Sequence, residues 1–149
     1  ILRWSQWKQQ DFTARLAPTP QDLEAFLAPL VTAGIDAFHC SQRRFWEPEF
    51  EGSDLNLAGW VKKLTGMPTI TVGSVSLDQD FITQPAEGDG AASEPASIDR
   101  LLEMMDRGDF DLVAVGRALI ANADWPKVVR SGDTSGLHAY SRDMLASLD

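Results

Sequence analysis

Four short apolar runs, each followed by a stretch with helical spacing, constrain this chain more than any other feature. They are Ile1–Ser5, Ile35–Ser41, Thr69–Val72 (TITV) and Phe110–Val115 (FDLVAV). Runs of this length, bounded by turn residues and rich in β-branched side chains, read as buried strands. Strands that alternate with helices demand a parallel sheet, because each helical crossover returns the chain to the same edge. The expected fold class is therefore α/β.

The connecting segments carry their own start and stop signals. Thr19 followed by Pro20 and Asp22 offers a hydroxyl N-cap, a proline at the first helical position and an acid beside the positive end of the helix dipole. Leu23, Phe26, Leu27, Leu30 and Val31 then recur on one face, with Pro29 expected to bend the helix and Gly34 to close it. Asp54 is the expected cap of a second helix, whose Leu57, Trp60, Val61 and Leu64 share a face and which ends at Gly66 and Pro68. Ser76–Ser97 is rich in Asp, Gly, Ser, Pro and Ala, so only partial helix is expected before Ile98, Leu101, Leu102 and Met105 resume a helical stripe. After Arg117 the sequence ALIANADWP has helical character, Asp124–Ser131 reads as a final helix, and 136–149 as a tail with a short helix.

Two of the strands end alike. FDLVAV runs into Gly116 and Arg117 at the mouth of a helix, and TITV runs into Gly73 and Ser74. A strand that stops at a glycine and feeds a helix N-terminus presents free backbone N–H groups, which suit a phosphate, and Arg117 adds a fixed positive charge. Two such turns one βα unit apart match the phosphate site that the loops after strands 7 and 8 build in a (β/α)₈ TIM barrel. The chain is accordingly read as the C-terminal half of such a barrel, residues 1–149 forming one incomplete domain. A whole barrel takes about 250 residues, and Ile1-Leu2 leads straight to a polar strand end, so the chain is expected to begin inside the fold.

Composition narrows the function. A net charge of −9 argues against nucleic acid, whose binding is driven by clustered Lys and Arg. With 44% hydrophobic residues and no long apolar stretch, neither a membrane span nor a signal peptide is expected. The lone Cys40 excludes an internal disulfide framework and a multi-thiolate metal site, and fits a reducing cytoplasm. His39 and Cys40 are adjacent on a strand, so they point to opposite faces and cannot act together as base and nucleophile. Arg43, Arg44, Glu47, Glu49 and Glu51 are expected to form solvated ion pairs on a loop. Trp60 and Trp125 fall on helix faces expected to pack, which leaves Trp46 as the tryptophan with a functional reading.

Taken in order, LRWSQWK, FHCSQRRFWEPEFEGSDLNLAGWVKKLTG, PTITVGSV and DLVAVGRALIANADWPK resemble the ends of strands 5, 6, 7 and 8 in the old yellow enzyme family, FMN-dependent NAD(P)H:flavin oxidoreductases with a TIM-barrel fold. The resemblance spans nearly the whole chain. It implies that Arg3 reaches the flavin ring near N1 and O2, where negative charge grows on reduction. It also implies that Gly73, Ser74, Gly116 and Arg117 hold the FMN phosphate, and that Phe45 and Trp46 line the substrate opening. The implied activity is reduction of an activated alkene, such as an enone, with NADPH or NADH as reductant. The family's proton-donating tyrosine and substrate-orienting pair belong to the N-terminal half, and no segment here matches them, so no catalytic residue is assigned. Tyr140 and His39 are not substitutes. Two rival readings stand beside this one: a truncated, non-catalytic half-barrel that binds a phosphate-bearing ligand weakly and self-associates through its open strand edges, or another phosphate-binding barrel, against which LRWSQWK and RRFWEPEFEG count.

Overall fold

The four apolar runs form one parallel sheet. In a computed structural model that describes residues 1–8, 11, 13–78 and 93–147, β1 (Leu2–Trp4), β2 (Phe38–Ser41), β3 (Thr69–Val72) and β4 (Leu112–Val113) pair in sequential order. β3 coincides with TITV, whereas β1, β2 and β4 are shorter than the runs that announce them, and of FDLVAV only Leu112 and Val113 pair. Sequential parallel order has a geometric consequence. If every crossover is right-handed, every connecting helix lands on the same face, whereas a doubly wound sheet needs the order to reverse.

The register shows which face that is. Trp4, Cys40, Thr71 and Val113 lie in one row across the strands, and Arg3, His39, Ile70 and Leu112 in the next row, on the opposite face. The helix α1 (Pro20–Thr32) touches the first row: the rings of Trp4 and Phe26 lie 5.0 Å apart. The helix α2 (Leu57–Thr65) touches it too, through its cap Asn56, whose amide donates to Thr71 Oγ1 at 3.2 Å. The core of this layer consists of Leu23, Leu27, Phe38, Cys40, Leu57, Ala58, Val61, Thr69 and Thr71, all buried. In the second row Arg3 is exposed, His39 and Ile70 are half-buried and Leu112 is 57% exposed.

Local chemistry explains the helix limits. Thr19 Oγ1 accepts from the Asp22 N–H at 3.1 Å and donates to its carboxylate at 2.7 Å, a reciprocal cap. The cap of α2 is Asn56 rather than Asp54. Asn56 Oδ1 accepts from Gly59 N–H at 2.9 Å while its amide also donates to the Phe45 carbonyl at 2.7 Å, so tertiary partners decide between two capable residues. Gly66 ends α2 in the left-handed conformation, φ 67°. Asp111 ties the layers together: one oxygen accepts from Thr69 N–H and the other from Lys62, both at 2.9 Å. The helix α3 (Asp99–Asp106) buries Leu101 and Met104.

The chain divides into two compact units, Ile1–Gly73 with Asp99–Ala114, which contains the sheet, and Ser74–Ile98 with Val115–Asp149. The second unit holds α4 (Arg117–Ala121), α5 (Trp125–Ser131) and a 3₁₀ turn at Arg142–Ser147. Within it Ser93 and Tyr140 exchange backbone hydrogen bonds at 2.9 and 3.0 Å. Asn122 braces the region after α5: its amide donates to the His138 carbonyl at 3.0 Å, and Oδ1 accepts from His138 N–H at 2.7 Å. The partial helix expected within Ser76–Ser97 falls largely on 79–92, outside the described residues. Among the described residues no helix is long and apolar enough to cross a membrane.

Candidate functional site

In the sheet unit, the residues of interest lie along and beyond the strands. Arg3 is exposed on β1 and sits in register with half-buried His39 on β2. Burial and then the positive charge of Arg3 push the His39 imidazole below its usual range, which favours the neutral ring, and its Nε2 is buried without a hydrogen-bond partner. This less buried face of the sheet thus carries exposed Arg3 beside a half-buried imidazole that favours its neutral form. Cys40, on the covered face, is fully buried, and burial followed by the nearby Glu49 pushes its thiol up to about 12. It is a packing residue, not a nucleophile.

Gly73 closes β3 at φ 137°, a conformation that L side chains rarely adopt. A Cβ there would lie 2.7 Å from the Gln42 carbonyl oxygen and 3.0 Å from the Arg43 backbone. The close approach is made by the loop that follows β2, and the Gly73 carbonyl accepts from Phe45 N–H at 3.1 Å. Gln42 completes the joint. Its amide nitrogen donates to Thr71 Oγ1 at 3.0 Å, and its Oε1 accepts from Leu57 N–H, the first residue of α2, at 2.6 Å. This need for glycine is independent of any ligand.

Phe45 is 3% exposed and meets half-buried Trp46 edge-on, the ring centres 4.9 Å apart. The Trp46 carbonyl accepts from Arg100 at 3.1 Å. Phe45 therefore serves as a buried anchor that sets the position of Trp46. Trp60, expected on a packed helix face, is half-buried and packs edge-on to Phe50 at 5.2 Å with Lys63 4.5 Å over its ring, and Trp125 is buried. Of the loop charges, Arg44 and Glu47 form the expected surface ion pair at 2.8 Å, and Glu49 departs from expectation. Glu49 is not solvated: its side chain is 13% exposed, 3.9 Å from Arg15.

In the second unit, Ser74 and Ser76 adopt positive φ values of 48° and 60°, uncommon for residues other than glycine, in a turn closed by Leu77 N–H donating to the Ser74 carbonyl. Gly116 is exposed and precedes α4 with no side-chain cap, and a Cβ there would meet nothing within 4 Å. Arg117 is half-buried. It donates to Ser93 Oγ at 3.1 Å and its guanidinium lies 5.7 Å from the centre of the Tyr140 ring. Ser93 and Tyr140 thus steady the arginine, a role the sequence reading did not find because both residues are distant in the chain.

No protein-family model matches the sequence, and no curated protein matches it either. The fold, by contrast, is similar to that of solved structures. One is the old yellow enzyme homologue from Zymomonas mobilis, which superposes with a TM-score of 0.59 at 15% identity over 95% of this chain and 33% of that one. The chain spans about a third of the length of that structure. At this identity the likeness is one of fold, an old-yellow-enzyme-like α/β arrangement.

Proposed function

We propose that this chain supplies strands 5 to 8 of an FMN-binding (β/α)₈ barrel in a flavin-dependent oxidoreductase that reduces activated alkenes at the expense of NADPH or NADH. The observation that carries this reading is the sheet. Its four parallel strands run in sequential order with α1 and α2 on one face, while the other face bears exposed Arg3 and Leu112 with half-buried His39 and Ile70. That is how a barrel segment is built, and the fold likeness to an old yellow enzyme homologue over 95% of the chain supports it.

The donor set suits an anionic flavin. In this reading the phosphate lies against Gly73, Ser74, Gly116 and Arg117. The open space at Gly116 leaves room for it, and Arg117, steadied by Ser93 and Tyr140, provides a cation already ordered before binding. Gly73 contributes through the turn it permits. Arg3 balances negative charge on the ring system, and Trp46, held by Phe45, lines the approach for the alkene. When bound, the flavin supplies the hydride chemistry; the residues here bind it, orient it and tune its charge. The face that bears Arg3 is closed by the remaining strands of the barrel, or, when the chain stands alone, by a second copy.

The test is to purify the chain, add FMN, desalt, and record the flavin spectrum. Retention near one flavin per chain, lost in Arg117→Ala, is the expected result. A colourless chain would overturn the claim that these residues suffice to hold the cofactor, and would leave the reading of a non-catalytic half-barrel whose exposed Leu112 and open strand edges draw it into association.

A further inference from the structure

Beyond the end of β2, on the sheet unit, a polar cleft opens between the connection that follows β1 and the loop that precedes α2. Trp7, Arg15, Ser41, Arg43, Arg44 and Glu49 contribute to its walls, and it encloses about 90 Å³. Three of the chain's 13 cationic side chains converge here, although the chain as a whole carries a net charge of −9. Of these, Arg44 is held by Glu47 at 2.8 Å, and Arg15 is turned by a hydrogen bond from Nη1 to the Ala14 carbonyl at 3.1 Å. Arg15 Nε stands 3.9 Å from Glu49 Oε1, an ion pair too long to be a hydrogen bond.

We propose that this cleft binds a small dianionic oxyanion, gripped by the guanidinium groups of Arg15, Arg43 and Arg44, with proton uptake by Glu49 accompanying its entry. Size selects the ligand class, since pockets for organic ligands run from about 300 Å³ upward and this cleft is far smaller. Chemistry selects the charge: planar guanidinium forks match tetrahedral and carboxylate oxygens. Two carboxylates oppose an anion here: Glu47, which Arg44 holds at 2.8 Å, and Glu49, which repels an anion when ionised. Burial pushes Glu49 up to about 7, against the pull of Arg15 and a hydrogen bond from Gln6, so near neutrality it gives up its charge readily. The groups around it are Arg15 from the connection after β1, Cys40 from β2, whose thiol stays protonated, and Arg43, Arg44 and Glu47 from its own loop. Protonation removes one negative charge from a cleft that keeps its three arginines. The site is independent of the flavin reading and tested without flavin.

Sulfate is the suitable probe, because it stays a dianion across the pH range used. Titration at constant ionic strength against chloride, followed through the indole N–H resonance of Trp7, is expected to show saturable binding that tightens about tenfold between pH 8 and pH 6, as linkage to one group near 7 requires. Glu49→Gln is expected to bind at pH 8 as tightly as the parent chain does at pH 6, with the pH dependence gone. Arg43→Met and Arg15→Met are expected to weaken binding at pH 6 about tenfold each, with far-UV circular dichroism and the chloride baseline unchanged. Arg15→Lys, which keeps charge and loses the fork, serves if Arg15→Met fails to fold and is expected to weaken binding by a smaller factor. A Trp7 response no greater than that to chloride, or the same pH dependence in Glu49→Gln, overturns the proposal.

Discussion

Two neighbouring rows of side chains cross the same four strands, and their environments differ sharply. In the row Trp4, Cys40, Thr71, Val113, the two central residues are fully buried beneath α1 and α2. In the row Arg3, His39, Ile70, Leu112, one residue back along each strand, none is fully buried and Leu112 is 57% exposed. Burial therefore does not follow side-chain hydrophobicity alone, which favours Leu112 over Thr71 as a core residue. It follows crossover handedness, which commits the helices to one side. The other face carries exposed Arg3 and half-buried His39, whose imidazole favours its neutral form, beside Ile70 and Leu112.

The largest test of this contrast sets one face against the other. Phe38→Ala, on the covered face, is expected to cost about 3–5 kcal/mol, whereas Ile70→Ala is expected to cost about 1 kcal/mol, because less area is removed from contact. Urea unfolding of both variants gives the comparison, and equal costs would mean that the second face is packed after all. Next comes the joint between covered face and loop. Asn56→Ala removes the α2 cap and the amide that donates to the Phe45 carbonyl, and leaves the Thr71 hydroxyl with Gln42 as donor, an expected loss of about 2–3 kcal/mol by the same measurement. A loss below about 0.5 kcal/mol would mean that these bonds are replaced by water.

Glu49 adds a pH dependence to that joint. Its folded value of about 7 lies above the unfolded carboxylate range, so the folded state holds the proton longer. Stability is then full below the unfolded value and declines as pH rises toward and through 7, by an amount of about 1–3 kcal/mol. Glu49→Gln should flatten the stability profile between pH 5 and pH 8. An unchanged slope in that variant would assign the dependence to another group. The smallest expected effect lies at exposed Leu112: Leu112→Lys should change the stability of the isolated chain by no more than about 0.5 kcal/mol, and, on the proposal that the chain alone pairs with a second copy, shift its sedimentation toward monomer. Unaltered association would remove Leu112 from the contact surface.

Much of this architecture was readable in the chain. TITV and FDLVAV announced strands, Thr19-Pro20-Asp22 a helix start and Gly66 a helix end, because each is a local event decided by a few adjacent residues. What escaped was decided at a distance. Asn56 displaces Asp54 as cap because Phe45 and Thr71 accept its amide. Glu49 is buried because the connection after β1 covers it, although its own loop is rich in charge. Ser93 and Tyr140 meet Arg117 from 24 and 23 positions away, and no spacing rule links them. Gly73 was read for a ligand, and the structure adds a second reason, the backbone of residues 42 and 43 crossing over it.

Whether the ends of β3 and β4 belong to a flavin phosphate site is decided by comparing FMN with riboflavin, the same ring system without the phosphate, in parallel fluorescence titrations of the chain. FMN is expected to bind at least about tenfold more tightly, one charged contact's worth, and Arg117→Met to erase the difference while leaving riboflavin binding unchanged. Equal affinities for the two flavins in the parent chain, or an FMN preference that survives the loss of Arg117, would contradict that assignment.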